Sequence, residues 1–301
     1  MATSLPAREF LSIPAHDGAV LALTYNSDGN YAISGGRDKI IRLWNTEKGT
    51  LIKEYSGAHG YEVRDIACSH DNSRMASCGG DRTVFVTEIA TSRVIRRFAR
   101  HEQLVNAVAF NADDSVLLSA SYDRTVCAWD MRSQSRDPII SLADAKDSVT
   151  RVVSTDTEIL TSSVDGCIRV YDMRAGRLTT DHMGEAITCL RVSADGNCVL
   201  VSLLNSTIRL FDRSNSDLLN EYKSKEFVND KFQIDSCFAQ DDAVVLSGAE
   251  DGIIRCWDLV SGELLKKLPG HKGVVIRLAA HPTQNQLISA GNDGAIKIWR
   301  S

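Results

Sequence analysis

One heptapeptide pattern recurs along this chain at near-constant spacing, and it constrains the fold more than any other feature. Asp38–Trp44 (DKIIRLW), Asp123–Trp129 (DRTVCAW), Asp251–Trp257 (DGIIRCW) and Asp293–Trp299 (DGAIKIW) each run from an aspartate to a tryptophan, with apolar residues alternating between them. Weaker copies occupy Asp81–Thr87, Asp165–Tyr171 and Asn205–Phe211. The seven end points are separated by 43, 42, 42, 40, 46 and 42 residues. Units of this length account for all 301 residues, so residues 1–301 read as a single domain. A fixed period of this kind marks a repeat architecture, in which each unit buries its faces against its neighbours.

Within a unit the pattern is that of four short strands. In the first, Val20–Tyr25 is apolar, Asn26–Asn30 is a turn, and Tyr31–Ser34 follows. Gly35–Asp38 turns again, Ile40–Trp44 alternates, and Leu51–Tyr55 closes the unit. Short alternating runs bounded by Gly, Asn, Asp and Ser indicate an all-β fold. The spacing and the strand pattern resemble WD-repeat proteins over essentially the whole chain. The resemblance implies a single seven-bladed β-propeller, four strands to a blade around a central channel. Arg8–Ile13 (REFLSI) resembles the fourth strands Leu51–Tyr55 and Val94–Phe98, whereas the chain stops just after a third strand. The N-terminal strand is therefore expected to complete the last blade and close the ring, removing two open sheet edges.

Composition narrows the function classes. A formal net charge of −5 disfavours direct nucleic-acid binding, which needs clustered cations. No apolar run is long enough to span a membrane, and Met1–Phe10 lacks the apolar core of a signal peptide. The 8 cysteines include no C-x-x-C pair, so neither a metal site nor any other cofactor is expected and the thiols should be free.

Serine, histidine and aspartate recur at fixed spacing. His16, Ser34, Asp38 and Trp44 form one set; His101, Ser119, Asp123 and Trp129 a second; His271, Ser289, Asp293 and Trp299 a third. His59, Ser77 and Asp81 form a fourth, with Thr87 where tryptophan would stand. The same residue types build nucleophilic triads, but a catalytic site is normally single and this one repeats around a ring. In WD-repeat proteins the tetrad is a buried hydrogen-bond chain that ties each loop to the next turn, and the chain is read here as non-enzymatic. The set is degraded elsewhere: Ala145 stands at the histidine position of the fourth unit, and Met183, Val201 and Asn205 replace the fifth set. The sixth keeps Ser247, Asp251 and Trp257, with Asp230 near the histidine position.

Gly57–Asp65 (GAHGYEVRD), Asp71–Asp81, Ser163–Arg174, Glu221–Lys225 and Glu250–Gly262 are similar to the mitogen-activated protein kinase organizer family. That resemblance implies a protein-interaction scaffold in two settings, kinase-cascade assembly and late spliceosomal complexes in pre-mRNA splicing. It carries the expectations of spliceosomal or kinase-cascade protein partners, a monomeric ring within larger complexes, and residence in nucleus and cytoplasm. None of the five prolines follows Ser or Thr, which disfavours a substrate of proline-directed kinases without bearing on scaffolding.

Partners are expected at the loops of one rim, which a rigid ring presents to solvent. Arg37, Tyr61, Glu62 and Tyr122 are the candidate partner-binding residues, since Tyr and Arg dominate interface hot spots. Lys223–Phe232, in the longest interval, reads either as a partner loop or as a tolerated insertion. Trp129–Arg132 and Tyr171–Arg174 share the form aromatic-Asp-x-Arg and resemble the box by which substrate receptors dock onto the adaptor of cullin-RING ubiquitin ligases. Arg132 and Arg174 are the docking candidates in that alternative reading; otherwise they cap their own blade turns.

Overall fold

A computed structural model describes residues 5–6 and 8–301; the opening residues of the stretch read for a signal peptide lie outside the described residues. Among the described residues, seven four-stranded antiparallel sheets follow one another along the chain and form a seven-bladed β-propeller. In the first blade Val20–Tyr25, Tyr31–Gly36, Ile41–Asn45 and Thr50–Tyr55 pair in chain order from the axis outward. Burial follows that order: the second strand is buried except for Tyr31, whereas the outer strand buries only Tyr55 and half-buries Lys53. Strands packed on both faces read as continuous apolar runs, and half-exposed ones alternate.

Two local devices repeat. The residue after each tetrad aspartate or its replacement has positive φ in all seven units: Lys39, Arg82, Arg124, Gly166, Ser206, Gly252 and Gly294. At Gly252 and Gly294 a Cβ would also stand 2.6 Å from the carbonyl of a histidine, His271 and His16 respectively, which explains the recurring Asp-Gly pair. The innermost strands of six blades shift register after their first residue, as between Val149 and Arg151. Such bulges re-aim side chains, here at the channel.

Arg8–Pro14 pairs antiparallel with Ala295–Arg300, from Arg8 opposite Arg300 to Pro14 opposite Ala295. The last blade thus takes its outer strand from the N-terminus. Glu9 binds Lys297 at 2.6 Å, and the Arg300 guanidinium sits 4.0 Å from the centre of the Phe10 ring. The core lies between blades. Trp129 stacks on Phe98 of the preceding blade at 4.5 Å and packs with Val84 and Val86. Trp299 meets Ile254 and Leu268, and Trp44 meets Ile13 and Ile296, in the same way.

Candidate functional site

The three complete tetrads are connected side chain to side chain. Trp44 Nε1–H donates to Ser34 Oγ at 2.8 Å, Ser34 Oγ lies 2.7 Å from His16 Nε2, and His16 Nδ1 lies 2.8 Å from Asp38. The corresponding distances are 2.9, 2.7 and 2.9 Å for Trp129, Ser119, His101 and Asp123. They are 2.8, 2.7 and 3.1 Å for Trp299, Ser289, His271 and Asp293. The fourth set joins His59 to Asp81 and to Ser77 at 2.8 Å each, with the edge of Phe85 against the imidazole. All four serines are fully buried, and in the complete sets the hydroxyl oxygen is already accepting from indole. These groups are structural: they satisfy one another and leave no hydroxyl open to a substrate.

The histidines differ electrostatically. Burial holds His16 and His271 below the ordinary histidine value. Burial is the largest single influence on His101 too and opposes its charge, but the hydrogen bond and charge of Asp123 together with Cys127 outweigh it, and the imidazole is pushed up to about 9. In the first blade Arg42 shares the carboxylate, 2.6 Å from Asp38, and so does part of the work of a charged histidine.

Where histidine is missing, arginine takes its place. Arg169 donates to Ser163 at 2.8 Å and to Asp165 at 2.7 Å. Arg255, wholly buried, donates to Asp251 and to the Glu226 carbonyl at 2.6 Å each. Both stand four residues after their aspartate, on the third strand, so the side chain reaches back to the turn. In the fifth blade, with Asn205 for aspartate, Arg209 turns to Glu221 and to the Met183 carbonyl. Asp230 does not stand in for the sixth histidine. It is exposed and accepts from Ser206, while Phe227 of the long interval packs edge-on against Trp257 at 5.4 Å. Lys223–Phe232 is therefore anchored in the core through Phe227. Ser247 donates to the Gly248 carbonyl, and Trp257 Nε1 is left without a partner.

The rim is built by one repeated bond. The amide of the residue before each tetrad turn donates to the facing loop: Arg37 to Ala19, Gly80 to Glu62, Tyr122 to Leu104, Val164 to Ser148, Leu204 to Ala186, Glu250 to Val228 and Asn292 to Val274. Seven equivalent positions therefore lie on one face. Tyr61 and Tyr122 are 61% and 51% exposed, and Arg37 is exposed. Lys39 lies 5.8 Å from the centre of the Tyr61 ring. Glu62 is half-buried, and its carboxylate faces the Arg64 guanidinium at 3.7 Å. Phe232, Gln233, Leu21 and Arg64 line a depression of about 200 Å³ at the channel mouth. Arg132 and Arg174 lie elsewhere, after the third strands of adjacent blades. Arg132 pairs with Asp113 at 2.9 Å, and Arg174 is exposed with no ion pair among the described residues.

Seven consecutive segments, 8–45, 49–87, 92–130, 136–172, 176–212, 227–258 and 262–300, match the family described as WD domain, G-beta repeat. The chain belongs to the WD-repeat family. Within it, the chain is 44% identical to WD repeat domain-containing protein 83 of Rattus norvegicus, over 99% of this chain and 94% of the relative. Identity to the protein of that name in Homo sapiens is 44%, over 98% and 93%. A homolog in Dictyostelium discoideum is 36% identical over 94% and 95%.

This WD-repeat propeller also holds a charge cluster that the sequence reading missed. Asp65, Arg151 and Arg277 occupy equivalent, post-bulge positions on the innermost strands of the second, fourth and seventh blades. Arg151 bridges Asp65 at 3.1 Å and Asp235 of the sixth blade; Arg277 and Arg191 reach Asp235 at 2.8 and 3.3 Å. Burial opposes ionisation of Asp235, but the three arginines outweigh it and hold its carboxyl well below the usual carboxylate range. The available signal was a charged residue, Asp65, Arg151 or Arg277, at a position that other inner strands fill with Ala22, Ala107 and Cys189. Among the described residues, no three His, Cys, Asp or Glu side chains converge as a metal site, and no helix is long and apolar enough to cross a membrane.

Proposed function

We propose that this WD-repeat propeller is a non-enzymatic scaffold that assembles protein partners on the rim carrying Arg37, Tyr61 and Tyr122, with Glu62 as a fixed acceptor beside them. The observation that carries this reading is the contrast within that face. Aromatic and guanidinium groups stand exposed, while the backbone beneath them is fixed by the tetrads and by the seven loop-to-turn bonds. Such rigid, amphipathic anchors are what interface hot spots use. The partners are spliceosomal proteins and members of a kinase cascade, in nucleus and cytoplasm, and the ring acts as a monomer within larger complexes. The resemblance to the kinase-organizer family and full-length similarity to the protein 83 relatives support this choice.

Tagged purification from separated nuclear and cytosolic extracts, with nuclease treatment and cross-linking, tests it. Splicing proteins cross-linked to the rim residues are the expected nuclear result, and replacing Tyr61 and Tyr122 by alanine should each weaken capture by about 2 kcal/mol. Kinases without splicing factors would remove the spliceosomal half of the reading. The exposed, unpaired Arg174 favours a second reading, a substrate receptor docked on a ubiquitin-ligase adaptor through Arg132 and Arg174. Adaptor binding unaffected by Arg132→Glu with Arg174→Glu would discard it.

A further inference from the structure

The side of the ring between the second and third blades departs from the rest of the surface in charge. The outer strand of the second blade, Val94–Phe98, and the residues after it form one wall of a groove of about 800 Å³, and Gln134–Asp137 form the other. Arg96, Arg97, Arg100 and Arg136 line it against a single acid, Asp137. None of these four arginines makes an ion pair among the described residues, unlike Arg64, Arg151, Arg191 and Arg277 of the inner strands and Arg42, Arg169, Arg209 and Arg255 of the third strands. Arg96 is instead positioned by Gln134, at 3.0 Å, and by the Ser133 carbonyl, and Arg97 lies over the Phe85 ring. Three other outer strands set an opposite charge beside theirs: Lys53 neighbours Glu54, Glu9 holds Lys297, and Lys267 holds Glu226. In a chain of net charge −5, unpaired arginines gathered on one groove are a local inversion of sign.

The backbone at the same place is open. Val94–Phe98 is the last strand of its sheet, so one edge has no strand partner. Val94 and Ile95 are each 41% exposed. The third blade's facing outer strand, Ile140–Leu142, is only 3 residues long, which leaves room along the groove. An unpaired edge accepts an extended segment through main-chain hydrogen bonds, and guanidinium forks pair carboxylates in bidentate geometry. The five residues of Val94–Phe98 offer roughly 17 Å of such an edge, and Arg100 lies just beyond it. Single-stranded nucleic acid would need exposed aromatic faces for its bases, and the groove's only ring, Phe98, is 2% exposed.

We propose that this groove docks an extended acidic segment of a partner protein, whose carboxylates pair with Arg97, Arg100 and Arg136 and whose apolar side chains rest on Val94 and Ile95. This surface is separate from the rim and stands without the reading of the rim.

Fluorescence anisotropy with a short labelled peptide rich in Asp, Glu and Val tests the proposal on the full chain. The same peptide with lysine for each acid, and an oligouridine of matching length, serve as comparisons. The acidic peptide should bind and the lysine peptide should not. Reversing Arg97, Arg100 and Arg136 to glutamate should weaken binding at least roughly tenfold, because several exposed charge-assisted contacts are lost together. Lys48→Glu, at an exposed turn of the first blade, should leave it unchanged. Amide exchange at 94–100 should slow when peptide is bound. If charge reversal unfolds the protein, replacing the three arginines by lysine decides, since losing the forked geometry should still weaken binding severalfold. No binding of the acidic peptide, binding undiminished in the variants, or tighter binding of oligouridine would each overturn the proposal.

Discussion

The arc formed by the seventh, first, second and third blades keeps its histidines, and the arc of the fourth, fifth and sixth has none at those positions. In the first arc the turn aspartate is hydrogen-bonded from the loop, by His16, His59, His101 or His271, and in the first blade by Arg42 of the third strand as well. In the second it is neutralised from the third strand, by Arg169 or Arg255. Six blades share a satisfied aspartate at a turn whose next residue is left-handed, the fifth carrying Asn205 instead; the partner's origin is interchangeable. What changes is the sheet behind it. With histidine in place the serine is free to serve the indole, whereas in the sixth blade Trp257 Nε1 goes unpaired. At the junction of the fourth and fifth blades the indole is gone altogether. Phe211 stands at the tryptophan position and borders a cleft of about 380 Å³.

The channel cluster couples the two arcs, so breaking it should have the largest effect. Asp65 and Arg277 come from one arc, and Arg151, Arg191 and Asp235 from the other. Asp235→Ala leaves three arginines facing one another in a buried site and should cost about 3–5 kcal/mol. Denaturant unfolding would show it, and a loss under about 1 kcal/mol would mean that the arcs are held by packing alone.

The interblade aromatics sharpen the comparison next. Trp129→Ala removes a wholly buried, stacked and hydrogen-bonded ring and should cost about 3–5 kcal/mol. Phe211→Ala, beside an existing cleft, should cost roughly 2 kcal/mol. Equal costs in chemical denaturation would show that the two junctions are packed alike.

A pH dependence separates the third blade from its neighbours in the first arc. The folded-state value of His101, about 9, lies above the ordinary 6.5, so the folded protein holds the proton more tightly than the unfolded chain. Its contribution is fully present below about pH 6.5 and is lost as pH rises through about 9, a change on the order of 3 kcal/mol. His16 and His271 are shifted the other way, so theirs is lost as pH falls below 6.5. Melting temperatures across this range should decline on the alkaline side in the wild type and flatten there in His101→Gln. An unchanged alkaline limb in that variant would place the titration elsewhere.

Much of the ring was legible in the sequence. Val20–Tyr25 appears in the structure with the bounds read from the residues, and Arg8–Pro14 supplies the missing outer strand one residue beyond the expected Arg8–Ile13. Both follow from local rules: strand propensity, turn residues and a period that leaves each end one strand out of phase. The spacing of histidine, serine, aspartate and tryptophan reflects the same rule, since a hairpin fixes how far apart its turn and loop fall. Asp230 stands near the histidine position in the sequence but takes no part in a tetrad, because the longer connection lets Phe227 fold inward against Trp257.

What the sequence determined by itself is whatever one repeat enforces on its own: four strands, a left-handed residue after each aspartate, and a tetrad within one blade. The tertiary structure decided everything that needs several blades at once. The Asp65–Arg151–Asp235 chain and the groove of Arg97, Arg100 and Arg136 join residues from different repeats. No local period encodes them, because their partners meet only after the ring closes and brings inner strands to one axis and outer strands side by side.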